Sequence, residues 1–413
     1  MMEVQPTIVN LSNGIRLVYL PTSSQVSHMG VTILAGSRYE ESNEEGLAHF
    51  LEHCIFKGTT KRRSLHILSR LDSVGGELNA FTTKEEICVY ASFTTEHLKR
   101  ASELLADIVL HSNFPPKEIH KEKDIVLDEI NSYLDSPGDR IFDDFESLLF
   151  KNHPLGTNIL GTRESVSGFE KDDLLAYTKR FFFAENMVVS FVGDVPIQKL
   201  IRRLESDFGS LQHSAKMILP KGFSGYEQFK IRSKEANFQS HVMVGSIAPG
   251  YDNEDRRSMT LLTNILGGPA LNSRLILSIR EKYGYSYNIE ASYSPFADTG
   301  YWSIYFGTDQ KYIDKTLKLV YKELKLMREQ EITPIQLKKA KEQLKGHLAL
   351  SFDSNSGLML GLGKSLLLFN QIDSVQEIFS AIDELKSSDL QEVANKYFNE
   401  DGISELIYEQ VNE

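Results

Sequence analysis

The chain is poor in cysteine. Among its 413 residues there are two, Cys54 and Cys88, and no CxxC pair. A disulfide framework is therefore excluded, and a zinc site built on thiolates is disfavoured. Basic excess is missing as well: 45 Lys and Arg stand against 57 Asp and Glu, a formal charge of −12. A nucleic-acid-binding protein would carry basic patches, so that class is disfavoured too. No run approaches the roughly 18 apolar residues that a membrane-crossing helix needs. The opening MMEVQPTIVNLSNG has neither the basic nor the apolar stretch of a signal peptide. These absences lead us to expect a cytoplasmic protein with no membrane or nucleic-acid partner.

What is present is ordinary globular material, with 41% hydrophobic and 25% charged residues and enough length for more than one domain. Asn13-Gly14 predicts a tight turn followed by a strand. HMGVTILAGSR predicts a second strand, EEGLAHFLEHCIFKG a helix ended by Gly58, and HILSRLDSVGG another helix. ELNAFTTKEEICVYASF reads as strand, turn and strand. Two amphipathic helices follow, on either side of Pro115-Pro116. Strands and helices mix without a steady βαβ alternation, which favours an α+β fold.

The second half repeats the first. Residues 27–53 can be laid on residues 240–266: both open with Ser-His, run through a strand, cross an acidic stretch and enter a helix. This predicts a duplicated unit of roughly 200 residues. The expected division is an N-terminal repeat over 1–211, an irregular linker over 212–228 and a C-terminal repeat over 229–413. In this register His49 falls on Leu262, Glu52 on Ile265 and His53 on Leu266, so the second copy lacks all three polar groups.

Those three groups carry the chemistry. In His49-Phe50-Leu51-Glu52-His53, residues three and four apart share one helical face. Two imidazoles at i and i+4 form a chelating pair for zinc, which takes nitrogen ligands tetrahedrally and keeps one position open when it is catalytic. The apolar flanks Phe50, Leu51, Cys54, Ile55 and Phe56 weigh against a wet, accidental cluster. A third ligand has to come from another element. In EKDIVLDEI, Glu122 and Glu129 lie two helical turns apart and face one way. One of them would bind zinc while the other stands behind it, orienting a histidine. His66, His97, His111, His120, His153, His213 and His347 have no partner at ligand spacing and read as surface or core-rim groups. His28 and His241 recur at equivalent positions of the repeat, which suggests a structural role. Cys54 should point off the ligand face.

His49-Phe50-Leu51-Glu52-His53 is the inverted zinc motif. With Glu129 downstream, the chain resembles the pitrilysin/insulinase family of zinc metallopeptidases. The wording HFLEHCIFKGT resembles the branch that includes the mitochondrial processing peptidases. LDSVGGELNAFTTKEEICVYAS, HPLGTNILGTRESV, FVGDV and GGPALNSRLILSIREKYGYSYNI extend the likeness over nearly the whole chain. It implies two homologous α/β-roll repeats joined by a linker, with the first repeat carrying zinc. His49, His53 and Glu129 would be the ligands, Glu52 the general base acting on a zinc-activated water, and Glu122 an acid behind the ligands. Arg280 and Tyr287 match a pair that contacts substrate and helps stabilise the tetrahedral intermediate. Gly76, Asn79, Ala80 and Phe81 match the strand to which peptide substrates add as an extra β-strand.

The expected activity is a zinc-dependent endopeptidase for peptides or extended unfolded segments. The family's two-halves architecture implies a homodimer in which Arg280 and Tyr287 of one subunit complete the other subunit's site. The alternative within the family is a non-catalytic assembly or scaffold subunit. Such members commonly lose zinc-binding residues, which this chain retains.

Overall fold

The structure is a computed structural model, and it describes residues 5–211 and 219–411. The Asn13-Gly14 turn forms as expected, with Gly14 in the left-handed region at φ 92°. It joins β1 (Thr7–Asn10) to β2 (Arg16–Pro21) as an antiparallel pair. With β3 (Val26–Ile33), β4 (Glu77–Thr82), β5 (Ile87–Thr94) and β6 (Met187–Gly193) these make a six-stranded sheet in the order β1-β2-β6-β3-β5-β4. β2 and β6 run parallel, and the remaining pairs are antiparallel. β6, MVVSFVG, is buried along its whole length, as a central strand covered on both faces should be. β4 lies at the sheet edge.

Helices α1 (Leu47–Cys54), α2 (Ser64–Asp72), α3 (Leu98–His111) and α4 (Pro116–Leu134) follow the predicted order. α1 is shorter than expected: it ends at Cys54, and the chain runs on through a loop over Gly58. Ala48, Phe50, Leu51 and Cys54 of α1 join Val31, Val89, Leu105 and Val126 in one core.

A second sheet contains β7 (Lys230–Glu235), β8 (Ser240–Ala248), β9 (Ser286–Pro295), β10 (Gly300–Thr308) and β11 (Ser404–Gln410), in the order β7-β11-β8-β10-β9. Its pairing is parallel for β7 and β11 and antiparallel elsewhere. That is the pattern β2-β6-β3-β5-β4 over again, so the repeat read from the sequence is a repeat of topology. The recurring histidines take matching posts. His28 on β3 bonds Ser92 of β5 at 2.8 Å, and His241 on β8 bonds the Tyr305 hydroxyl of β10 at 2.9 Å.

The two compact units are not the contiguous spans 1–211 and 229–413. One comprises residues 1–131, 157–221 and 350–374; the other comprises 132–156, 222–349 and 375–413. Each half lends a helix to the other's sheet. Helix α5 (Pro137–Leu149), from the first half, packs Ile141, Phe145 and Leu149 against Met243, Tyr305 and Leu406 of the second sheet. The helix Asn355–Phe369, from the second half, packs Leu366 and Leu367 against Val18 and Val188 of the first. It approaches closely, because a Cβ on Gly30 of β3 would stand 2.6 Å from Met359 Sδ. The chain therefore passes between the units five times, and the expected linker is one connection among several. Of that linker, residues 212–218 lie outside the described residues, and 219–228 have no regular secondary structure. Among the described residues no helix is long and apolar enough to cross a membrane.

Candidate metal centre

α1 starts at a constraint. Gly46, its N-cap, sits at φ 89°, and a Cβ there would stand 2.7 Å from the Gly161 backbone. Neither condition suits an L side chain. The buried Glu40 carboxylate then holds the helix start, accepting the Gly46 N–H at 3.0 Å and the Ala48 N–H at 2.7 Å. These are two of the donors that a helix N-terminus leaves without partners. With the core face of α1 fixed, His49, Glu52 and His53 project together from the opposite side.

α4 brings the carboxylates. Ile119, Glu122, Val126 and Ile130 form its buried stripe, and Glu129 lies at the margin with a half-exposed side chain. Ile125, next to Val126 in the chain, is 49% exposed. Glu129 Oε2 stands 3.8 Å from His49 Nε2 and 3.4 Å from His53 Nε2. Zinc–nitrogen and zinc–oxygen bonds of about 2.0–2.2 Å in tetrahedral geometry put neighbouring ligand atoms about 3.3–3.6 Å apart. The His53–Glu129 distance falls in that range and the His49–Glu129 distance is slightly longer; among the described residues His49, His53 and Glu129 are the one group of His, Cys, Asp and Glu close enough together to hold a metal ion.

The electrostatics suit ligation. Burial, with His53 adding to it, lowers His49 to about 4, so its imidazole is neutral with a free lone pair. Burial acts to lower His53 too, but the hydrogen bond it donates to Glu122 and the charges of Glu129 and Glu52 outweigh it and raise the group. Glu122 is opposed by burial, yet His53 and Lys57 pull it below the usual carboxylate range. Its two oxygens divide their work: Oε2 faces His53 Nδ1 at 3.5 Å, and Oε1 meets Lys57 Nζ at 2.8 Å. Burial raises Glu52, while a hydrogen bond from Thr82 opposes the rise. Cys54 is buried in the core, off the ligand face as expected, and burial raises its thiol.

The expected substrate strand is β4, with Asn79, Ala80 and Phe81 opposite Tyr90, Val89 and Cys88 of β5. Gly76 flanks the strand. It lies one residue before the strand, and its N–H is taken by the Leu71 carbonyl. The Ala80 N–H is accepted by the Asn79 side chain at 2.9 Å. At the far end of β4, the Thr82 hydroxyl donates to Glu52 Oε2 at 3.0 Å, so the edge strand ends at the candidate base. In the second unit, the Arg280 guanidinium lies 4.7 Å from the centre of the Tyr287 ring, and Tyr287 is 84% exposed. His153, expected at the surface or core rim, is buried and accepts the Leu155 N–H. His213 lies outside the described residues.

The profile described as Insulinase (Peptidase family M16) matches residues 16–163, and the one described as Peptidase M16 inactive domain matches residues 168–344. An uncharacterized zinc protease of Bacillus subtilis, YmxG, is 33% identical over 398 residues, covering 96% of each chain. The chain belongs to the insulinase family, M16. Another relative, an uncharacterized zinc protease of Rickettsia felis, is 34% identical over 406 residues, covering 97% of each chain. Two solved structures share the M16 fold. A peptidase M16 inactive domain from Pseudomonas fluorescens has a TM-score of 0.92 at 18% identity, covering 99% of this chain and 98% of its own. A protease from Helicobacter pylori has a TM-score of 0.90 at 22% identity, covering 98% of this chain and 100% of its own. The two M16 profiles divide the chain as the motif does: the first contains His49, Glu52, His53 and Glu129, and the second begins beyond them. Thr82, Lys57 and Glu40 were not singled out in the sequence. Each lies far from its partner along the chain or in a loop, and no spacing rule marks them.

Proposed function

We propose that this M16 protein is a zinc endopeptidase that hydrolyses peptides or extended unfolded segments. The observation that carries the reading is the convergence of His49, His53 and Glu129 from two helices, with Glu52 on the same face of α1. A zinc ion held there supplies Lewis acidity, which polarises the scissile carbonyl and acidifies water. Glu52 takes the proton from the attacking water and returns it to the leaving amine. The peptide adds to the open edge of β4 through main-chain bonds at Asn79, Ala80 and Phe81, a mode with little sequence preference. Arg280 and Tyr287 contact the substrate and stabilise the developing oxyanion. The chain works as a homodimer in which one subunit's Arg280 and Tyr287 complete the other's site. The scaffold alternative loses ground because all four motif residues are present and positioned together.

The test pairs metal content with cleavage of a quenched fluorescent peptide by wild type and Glu52→Gln. About one zinc per chain in both proteins, with cleavage by wild type alone, supports the reading. Zinc binding with no cleavage of varied peptides by wild type, alone or at dimer-forming concentration, would return the scaffold role. Mixing Glu52→Gln with Tyr287→Phe tests the dimer: recovered cleavage supports a shared site, and none counts against it.

A further inference from the structure

Lys57 has no place in the proposed reaction, yet its ammonium is committed to the metal centre. It lies in the loop just beyond α1, where its own N–H bonds the Cys54 carbonyl, and its side chain turns back to Glu122. The Glu122 side chain is only 5% exposed, so an oxygen left without a partner there would be costly. Lys57 takes Oε1 at 2.8 Å, which leaves Oε2 directed at His53 Nδ1 at 3.5 Å. A carboxylate anchored at one oxygen cannot turn freely about its last bond. The anchored carboxylate fixes which face the His53 ring presents and keeps Nε2 aimed at Glu129, 3.4 Å away.

Resting on the zinc reading above, we infer that Lys57 is a positioning residue for the metal: by holding Oε1 of Glu122 it sets the orientation of His53, and so raises the affinity of the site for zinc. The supporting groups behind zinc ligands commonly contribute 10–100-fold in affinity. Lys57 acts one step further out, so its share belongs at the lower end.

The test is zinc affinity, read on the full chain by competition of the apo-protein against a chromophoric chelator, without recourse to activity. Lys57→Met should weaken zinc binding by about tenfold, lower the melting temperature of the apo-protein because Oε1 of Glu122 loses its partner, and be largely repaired on both counts by Lys57→Arg, which keeps a charged donor. In a Glu122→Gln background, Lys57→Met should add nothing, because its effect passes through that carboxylate. Equal zinc affinity in wild type and Lys57→Met overturns the inference and leaves the zinc reading standing. A loss of zinc affinity that Lys57→Arg does not repair also overturns it, since that would mark a packing role of the lysine stem rather than a charged donor to Glu122. A wild type that takes up no zinc removes the reading and the inference together.

Discussion

The Thr82 hydroxyl donates to the Glu52 carboxylate across 3.0 Å, tying the end of the edge strand to the centre of the motif helix. The bond fixes one oxygen of the candidate base and leaves the other for a proton. A hydrogen bond to a charged group is worth about 1.5–3 kcal/mol, and about 1.4 kcal/mol corresponds to a tenfold rate change. Thr82→Val should therefore lower kcat by about tenfold or more, with zinc content unchanged. Thr82→Ser should stay close to wild type. Full activity in Thr82→Val would show that Glu52 needs no such restraint.

Removing a ligand tests the centre from the other side. His53→Ala and Glu129→Gln each leave fewer than the three protein ligands of a catalytic zinc. Zinc measured by atomic emission after dialysis should fall from about one per chain to near zero. Peptide cleavage should vanish with it, as it should in wild type stripped by a chelator and then return on adding zinc. Undiminished zinc in either variant would place the ion elsewhere.

The loop after the motif helix depends on a buried acid. Asp107 on α3 is 1% exposed and accepts from Thr59 at 2.8 Å, Arg62 at 2.5 Å and His111 at 3.1 Å. Arg62 keeps Glu103 as a second partner, so removing Asp107 leaves the guanidinium only partly compensated. Asp107→Ala should cost about 3 kcal/mol, the low end for breaking a buried charged pair. The loss would be read as a lower urea midpoint at unchanged slope. A midpoint like that of wild type would mean that the loop is held by its backbone bridges, Gly58 with Arg63 and Thr59 with Ser112.

Much of this centre was legible in the sequence because its parts follow local periodicity. His49, Glu52 and His53 share a face by helical spacing, and Glu122 and Glu129 do so by lying two turns apart. The repeat was legible because Ser27-His28 and Ser240-His241 begin equivalent strands. The exchange of α5 and Asn355–Phe369 was not. An apolar helix face announces that it will be covered, but nothing local says by which sheet. That β4 starts at Glu77 and not at Gly76 was not legible for a similar reason, since a one-residue difference at a strand start depends on the Leu71 carbonyl that accepts the Gly76 N–H. Lys57, Thr82 and Glu40 act through partners that only the tertiary fold supplies.

Glu40 predicts a pH dependence. Burial pushes its carboxyl from 4.5 up to about 8, against the pull of the Ala48 and Gly46 N–H groups and with Glu44 adding to the rise. The folded chain therefore keeps this proton to higher pH than the unfolded chain does. Its contribution to stability is complete below 4.5 and is lost as pH rises through about 8. Glu40→Gln cannot ionise and should escape that decline, although it gives up one of the two N–H acceptors and so starts lower. Urea unfolding of the metal-free proteins between about pH 5 and pH 9 should show wild type losing its advantage over Glu40→Gln toward the alkaline end. Curves that stay parallel across the range would mean that the carboxylate is already ionised at the acidic end, held there by the two helix N–H groups.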